Sequence, residues 1–466
     1  QSLTADTKGS KSTAVGYRTL ANQNFSTSTD SHNTAIGNDA GLSVTTGVRN
    51  TLIGSRTGDA FTDADYNVAL GYNALTSDTL GSTSTAIGYA ALETQNFTSA
   101  KNSLNTAVGY LAGTAVTTGR QNVIVGAQTG DALTTGELNV AVGQNSLSAD
   151  TKGNRSTAIG NSALRNQNFT NATDSYNTAV GYAAGISVTT GVNNTLIGGL
   201  AGDANTTGAQ NTAVGQGALS ANTTASNNTS VGYQSLLANT TGAQNTAVGR
   251  NALDANTTAS ENTAIGNSAM GNNTTGAENT AVGSASLFAN TTGANNVAIG
   301  RDSLKANTTA SNNTAIGYQA GTALTTGDDN VAIGFEALKT EDAHGRNVAV
   351  GYQSLKTLNA GALAVTTTVG YKSGTSLTTG VQNVLIGGLS GDALTDADYN
   401  VAVGNNTLTT DTKGSKSTAI GYEALANQNF TSSTDTFNTA VGYTAGLNIT
   451  TGVSNTLIGA LAGDAI

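Results

Sequence analysis

One tetrapeptide type, seen as Thr-Ala-Val-Gly at 106–109 and as Val-Ala-Ile-Gly at 331–334, returns along the whole chain. It ends on 26 glycines from Gly16 to Gly459. Of the 25 intervals between them, 20 are 17 residues long, four are 21 and one is 19. A short fixed period of this kind means one supersecondary unit stacked on copies of itself, each burying its apolar side against its neighbours. The period constrains the chain more than its 466 residues do. Length alone suggests about three domains, whereas the period predicts a single continuous β-solenoid array over residues 1–466 with no linker. It also argues against any single active site.

Composition agrees. With 58 glycines, no proline, cysteine or tryptophan and only 10% charged residues, the chain has too few large side chains for a thick core. A thin stack of short strands needs only small and β-branched ones. The lack of cysteine excludes disulfides and thiolate metal sites. The net charge of −10 comes with no basic face, which excludes a nucleic-acid partner and suits a long soluble array. No stretch approaches the ~20 apolar residues of a membrane span, so no membrane insertion is expected in this segment. No signal peptide is read at Gln1, which opens directly on repeat sequence. Gln1-Ser2-Leu3 aligns with Asn406-Thr407-Leu408, and Gly463-Asp464-Ala465-Ile466 with Gly391-Asp392-Ala393-Leu394. Both ends thus fall inside a repeat without a capping unit, and the chain reads as a segment of a longer fibre.

Counted from its glycine, each coil has Val or Ile just before it (Leu70 is the exception), usually Ala two before, Thr or Val three before, and mostly Asn four before. Alternation of β-branched and small residues is the pattern of a strand. The Val/Ile row, including Val108, Val214, Val248 and Ile316, is expected to face the interior. The Ala row, including Ala213, Ala247, Ala264, Ala281, Ala298 and Ala315, is expected to lie close to another chain. The asparagines, such as Asn105, Asn211, Asn245 and Asn313, are expected to form a hydrogen-bonded ladder. A bend is expected at glycines such as Gly109, Gly215, Gly249 and Gly317. A second short strand should follow, its fourth residue (Leu, Met or Gly) completing the interior, and then a turn of the Asn-Thr-Thr-Gly type.

A longer period overlies the first. Leu52, Ile124 and Leu196, spaced by 72, replace the Ala two before the glycine, as do Leu385 and Leu457. Each follows a longer coil, and the 21-residue coils carry Phe25, Phe97, Phe169 and Phe430. An expanded loop with a Phe and then a coil with a bulkier Leu suggests a local pocket that one of them fills.

The strand motif, as Asn-Thr-Ala-Val-Gly-Tyr at 105–110 and Asn-Val-Ala-Ile-Gly-Phe at 330–335, resembles the head repeats of trimeric autotransporter adhesins of the YadA type, and also repeats of some phage tail fibres. That resemblance implies a left-handed parallel β-roll, assembly as a homotrimer, and a surface that contacts host, matrix or neighbouring-cell components. This chain departs from the adhesin pattern in its longer coil and its Phe loops.

Enzymatic chemistry has little support. His32 and His344, the only histidines, sit in non-equivalent loops, and no nucleophile–base set or phosphate loop recurs, so no catalytic residue and no cofactor are assigned. Asp59, Asp63 and Asp65, repeated as Asp392, Asp396 and Asp398, are the one candidate calcium cluster. Rows of threonine invite an ice-binding reading. Sequons such as Asn205-Thr206-Thr207 and Asn239-Thr240-Thr241 arise from composition. The expectation is therefore an all-β parallel β-roll of about 26 coils, acting as a structural and adhesive extracellular fibre at a cell or virion surface. A phage tail-fibre shaft and an ice-binding solenoid are the alternatives.

Overall fold

The computed structural model describes residues 2–464. It divides into two compact units, Gln1–Tyr233 and Gln234–Ile466, and the described residues contain no helix. Each unit is a β-solenoid. In the first, thirteen three-residue strands from Thr13–Val15 to Thr229–Val231 pair in parallel with their equivalents in adjacent coils. In the second, thirteen more do the same from Thr246–Val248 to Thr456–Ile458. Register is one whole coil: Thr106, Ala107 and Val108 lie beside Val123, Ile124 and Val125.

Successive strand side chains point to opposite faces, so a three-residue strand puts one side chain on one face and two on the other. The structure turns the alanine inward. Ala213, Ala247, Ala264, Ala281 and Ala298 are fully buried within their own coils and Ala315 is 1% exposed. Val108, Val214, Val248 and Ile316 point outward and are half-exposed. This reverses the expected orientation, and the alanine row cannot be a subunit surface. The physical reason is the thinness of the coil: opposing interior walls are so close that the strand admits only a small side chain, and the bulk is supplied from elsewhere.

That bulk comes from the residue four after the glycine, Leu219, Leu253 and Leu304 among them, and from the residue seven after it, both buried. The expected second strand is absent. In its place the chain turns twice through left-handed residues, for example Gln234 (φ 52°) and Leu236 (φ 49°). Such conformations cost a non-glycine residue about 1–2 kcal/mol; burying the leucine whole offsets this.

The bend glycine has no such freedom. Gly215 holds φ 141°, outside the range of other residues, and a Cβ there would run into the carbonyl of Gly232 in the next coil. Backbone therefore meets backbone along the glycine column.

The 72-residue pattern is a volume exchange. Leu196 lies between two coils whose fourth position is Gly185 and Gly202. A Cβ on these glycines would stand 2.6 and 2.7 Å from the Leu196 methyls. Leu52 sits likewise between Gly41 and Gly58, and Leu385 between Gly374 and Gly391. One strand leucine thus occupies space that two turn glycines leave open.

The asparagine ladder forms as expected. Asn313 Oδ1 accepts from the Asn330 backbone N–H (2.9 Å) and side-chain amide (3.1 Å), while its own amide donates to Gly327 O (3.0 Å). Asn105, Asn211 and Asn245 are buried and donate in the same way to the carbonyls of Gly119, Ala225 and Ala259. The plain coils add a second ladder at the seventh position, in which Asn256, Asn273 and Asn290 each donate to the preceding asparagine (2.7–3.2 Å).

Candidate functional site

With the interior filled by alanine, leucine and asparagine, function falls to the outward positions. The broadest is the strand face itself. Thr212 and Val214, and their equivalents in every coil, stand two residues apart on one side of the ladder. Exposure along the Val/Ile column runs from partial at Val214 through 43% at Leu70 to 55% at Val15 and 73% at Ile458 in the outermost coils. A regular strip of threonine and aliphatic side chains thus lies on the surface of each unit.

Immediately past the bend, the residue after the glycine is also outward, and here sequence reasoning missed a feature. Aromatic residues occupy this position in runs and stack on one another. Tyr72, Tyr89 and Tyr110 have ring centroids 5.6 and 5.4 Å apart. Tyr318, Phe335, Tyr352 and Tyr371 form a four-ring column at 5.4, 5.1 and 5.5 Å, with interplanar angles of 8–15°. Tyr422 stacks on Tyr443. The signal was present as a tyrosine or phenylalanine after the glycine in consecutive coils, since in-register stacking brings equal positions together.

The long coils project a third feature. After its buried Phe, each makes a two-residue strand paired to the coil before, as Thr173–Asp174 does with Gly153–Asn154. At the base of these loops Lys11, Arg155 and Lys416 pair with Asp30, Asp174 and Asp435 at 2.6, 3.3 and 2.6 Å. Arg155 also lies over the ring of Tyr176, and Lys416 over that of Phe437. Solvent reaches all three ion pairs, so each holds a side chain in place more than it stabilises the fold.

Anchoring the last three of the four 21-residue coils is a buried carboxylate at the seventh position of the coil before each. Asp78 Oδ1 accepts from Gly81 N (3.0 Å) and Phe97 N (3.1 Å), and Oδ2 from Gln95 Nε2 (2.6 Å). Asp150 and Asp411 repeat the arrangement with Phe169 and Phe430. Burial pushes the Asp78 and Asp150 carboxyls above their ordinary range, against the pull of these donors. The pocket expected around the Phe is therefore closed by a polar knot. Glu341 is its counterpart before the 19-residue coil: it accepts from His344 N and, 19 residues on, from Ala360 N.

Among the described residues, Glu341, Asp342 and His344 are the one group of three acidic or histidine side chains whose donor atoms lie within 4.8 Å of one another. The six aspartates of the calcium candidate do not form such a group. Asp59 accepts from Thr76, Asp63 from Thr46 and Asp65 from the Val48 backbone. In the second set, Asp392 accepts from Thr409, Asp396 faces Lys413 and Asp398 accepts from the Val381 backbone. Each carboxylate ties its coil to a neighbour instead of converging on a shared point. His32 is exposed and His344 half-buried, far apart in the sequence and in different units. A cleft of about 260 Å³ beside His344, lined also by Asp328, Asp329 and Arg346, occurs where the repeat is irregular. The sequon asparagines Asn205 and Asn239 are wholly buried, which closes them to a modifying enzyme in the folded chain.

No protein-family model and no curated protein matches this chain.

Proposed function

We propose that this chain is a structural and adhesive segment of an extracellular fibre, assembled as a homotrimer at a cell or virion surface. The observation that carries the reading is the outward Val/Ile column. Large aliphatic side chains in an unbroken row on every coil are a self-association surface in waiting, because a monomer would leave them against water. Two further copies of the chain, each presenting the same flat strip, would cover it in a closed symmetric assembly. The resemblance of the strand motif to adhesin heads supports three chains over two. The variable outward positions, with the aromatic columns and loop bases, would then meet the partner surface, whether host, matrix or neighbouring cell. A phage tail-fibre shaft would use the same assembly and differ in what the fibre is attached to.

Mass measurement in solution tests this. The expected species is three times the 46.2 kDa chain mass, and a protein that stays monomeric at high concentration would remove the central argument. An ice-binding solenoid remains the second reading, favoured by one observation: threonine and aliphatic side chains share a single flat outward face. Both readings need the same face, so they exclude each other. Thermal hysteresis from a monomer would favour ice; a trimer without hysteresis favours the fibre.

A further inference from the structure

The four-ring column of Tyr318, Phe335, Tyr352 and Tyr371 differs from the shorter ones in what surrounds it. Arg301 lies over the Tyr318 ring at 6.0 Å and Lys372 over the Tyr371 ring at 5.4 Å, so a cation sits at each end. Beside Phe335, Glu336 is held by Lys339 (2.6 Å) and Lys356 (2.7 Å), one carboxylate between two ammonium groups. Lys305 and Arg301 flank Asp302. Along this corner five cations face three carboxylates, Asp302, Glu336 and, beside Lys372, Asp392, so cations outnumber acids here in a chain whose net charge is −10. The other acidic groups of these coils gather at the cleft beside His344: Asp328 and Asp329 line it, and Glu341 and Asp342 cluster with the His344 ring.

We propose that this corner is the contact line for an acidic, sparsely charged polysaccharide lying along the stacking direction. The inference rests on the adhesive reading above and gives it a substrate class. Three features select the ligand. Cations at intervals suit isolated carboxylates, which take charge-assisted hydrogen bonds from lysine and arginine. Three phenol hydroxyls among four rings repeat with the coil, as the hydroxyls of a sugar chain repeat with the residue. The rings spend their faces on each other, so the base stacking that holds single-stranded nucleic acid is not on offer. A densely charged polymer also meets the repulsion of the chain as a whole.

The test is calorimetric titration of the intact protein, in its native assembly, with unsulfated hyaluronan oligosaccharides, which carry one carboxylate per disaccharide. Dextran, polyglutamate and polydeoxythymidine serve as comparison polymers. Binding by hyaluronan is expected, weakened roughly tenfold in Arg301→Ser/Lys372→Ser and again in Phe335→Ser/Tyr352→Ser. Tyr182→Ser, which removes an exposed ring outside the stacked columns, should leave it unchanged. All these side chains are outward, and circular dichroism checks that the coils persist. The proposal is overturned if hyaluronan does not bind, if any comparison polymer binds as tightly, or if both double variants bind like the parent. Such a result in a protein that is still trimeric leaves the fibre reading standing. A monomer sinks that reading whatever the sugar does.

Discussion

Single residues in this chain are constrained by their neighbours in adjacent coils more than by their neighbours in sequence. Gly215→Ala places a methyl against the Gly232 carbonyl at a φ of 141°, and should cost about 3 kcal/mol or more in chemical denaturation. Asn313→Ala strands the Asn330 backbone N–H and leaves the Gly327 carbonyl only the longer bond from the Asn330 amide, an expected loss of about 2 kcal/mol. Glu336 gives a pH signature. Hydrogen bonds from Lys339 and then Lys356 hold its carboxyl down to about 2 from the ordinary 4.5. A depressed folded-state value stabilises above the unfolded value and is lost as pH falls through the folded one. Glu336→Gln should therefore lower the melting temperature at neutral pH by roughly one to two degrees: the carboxylate is buried, but solvent screens the half-buried lysine ends of the pairs. The difference from the parent should close as pH falls from 4.5 towards 2. The glycine and asparagine columns were legible in the sequence because only one residue type meets each demand. The Asp78 knot was not: an aspartate in a turn reads as solvated, and its role appears only once Gln95 and Phe97 of the next coil close over it.

At the level of the coil, the sequence carries period, register and turn positions but leaves open which strand face is the inner one. Val-Ala-Val alternation is symmetric in this respect, and the usual rule that larger aliphatics go inside chose wrongly. What decides is the fourth position after the glycine. Where Leu219 or Leu253 fills the interior from the turn, the strand contributes Ala; where Gly185 and Gly202 vacate it, the strand contributes Leu196. This exchange makes a rescue experiment possible. Leu196→Ala should destabilise by about 3 kcal/mol through the cavity it leaves. Adding Gly185→Leu and Gly202→Leu, at positions whose φ of 58° and 56° matches that of Leu219, should recover most of the loss. Independent defects would instead add. Urea denaturation of the single and triple variants separates the two outcomes.

For the whole molecule, the outward aliphatic column is where stability and assembly meet. Ile299→Lys with Ile316→Lys leaves the interior untouched, since both side chains are outward. Sedimentation should show monomers in place of the proposed trimer while the far-ultraviolet spectrum stays that of β-structure. Unfolding of the pair as a globally disordered chain would mean that the column is core after all. Assembly itself was the least legible property: the resemblance of the motif pointed to three chains, but the surface first assigned to the contact, the alanine row, is inside the coil.

The likeness of the coils between Asn239 and Asn307, whose asparagine, strand and bend positions repeat, carries a hazard. A growing stack could skip seventeen residues and join the wrong pair of strands with every hydrogen bond still made. Nothing local would report the error. The Phe-bearing coils with their carboxylate knots, and the Leu–Gly exchanges, do not fit the coil immediately next to their own partner, so they serve as bookmarks by which a nascent chain finds its page. Stripping them out should leave every coil individually sound and yet yield a population of molecules that disagree about which coil follows which.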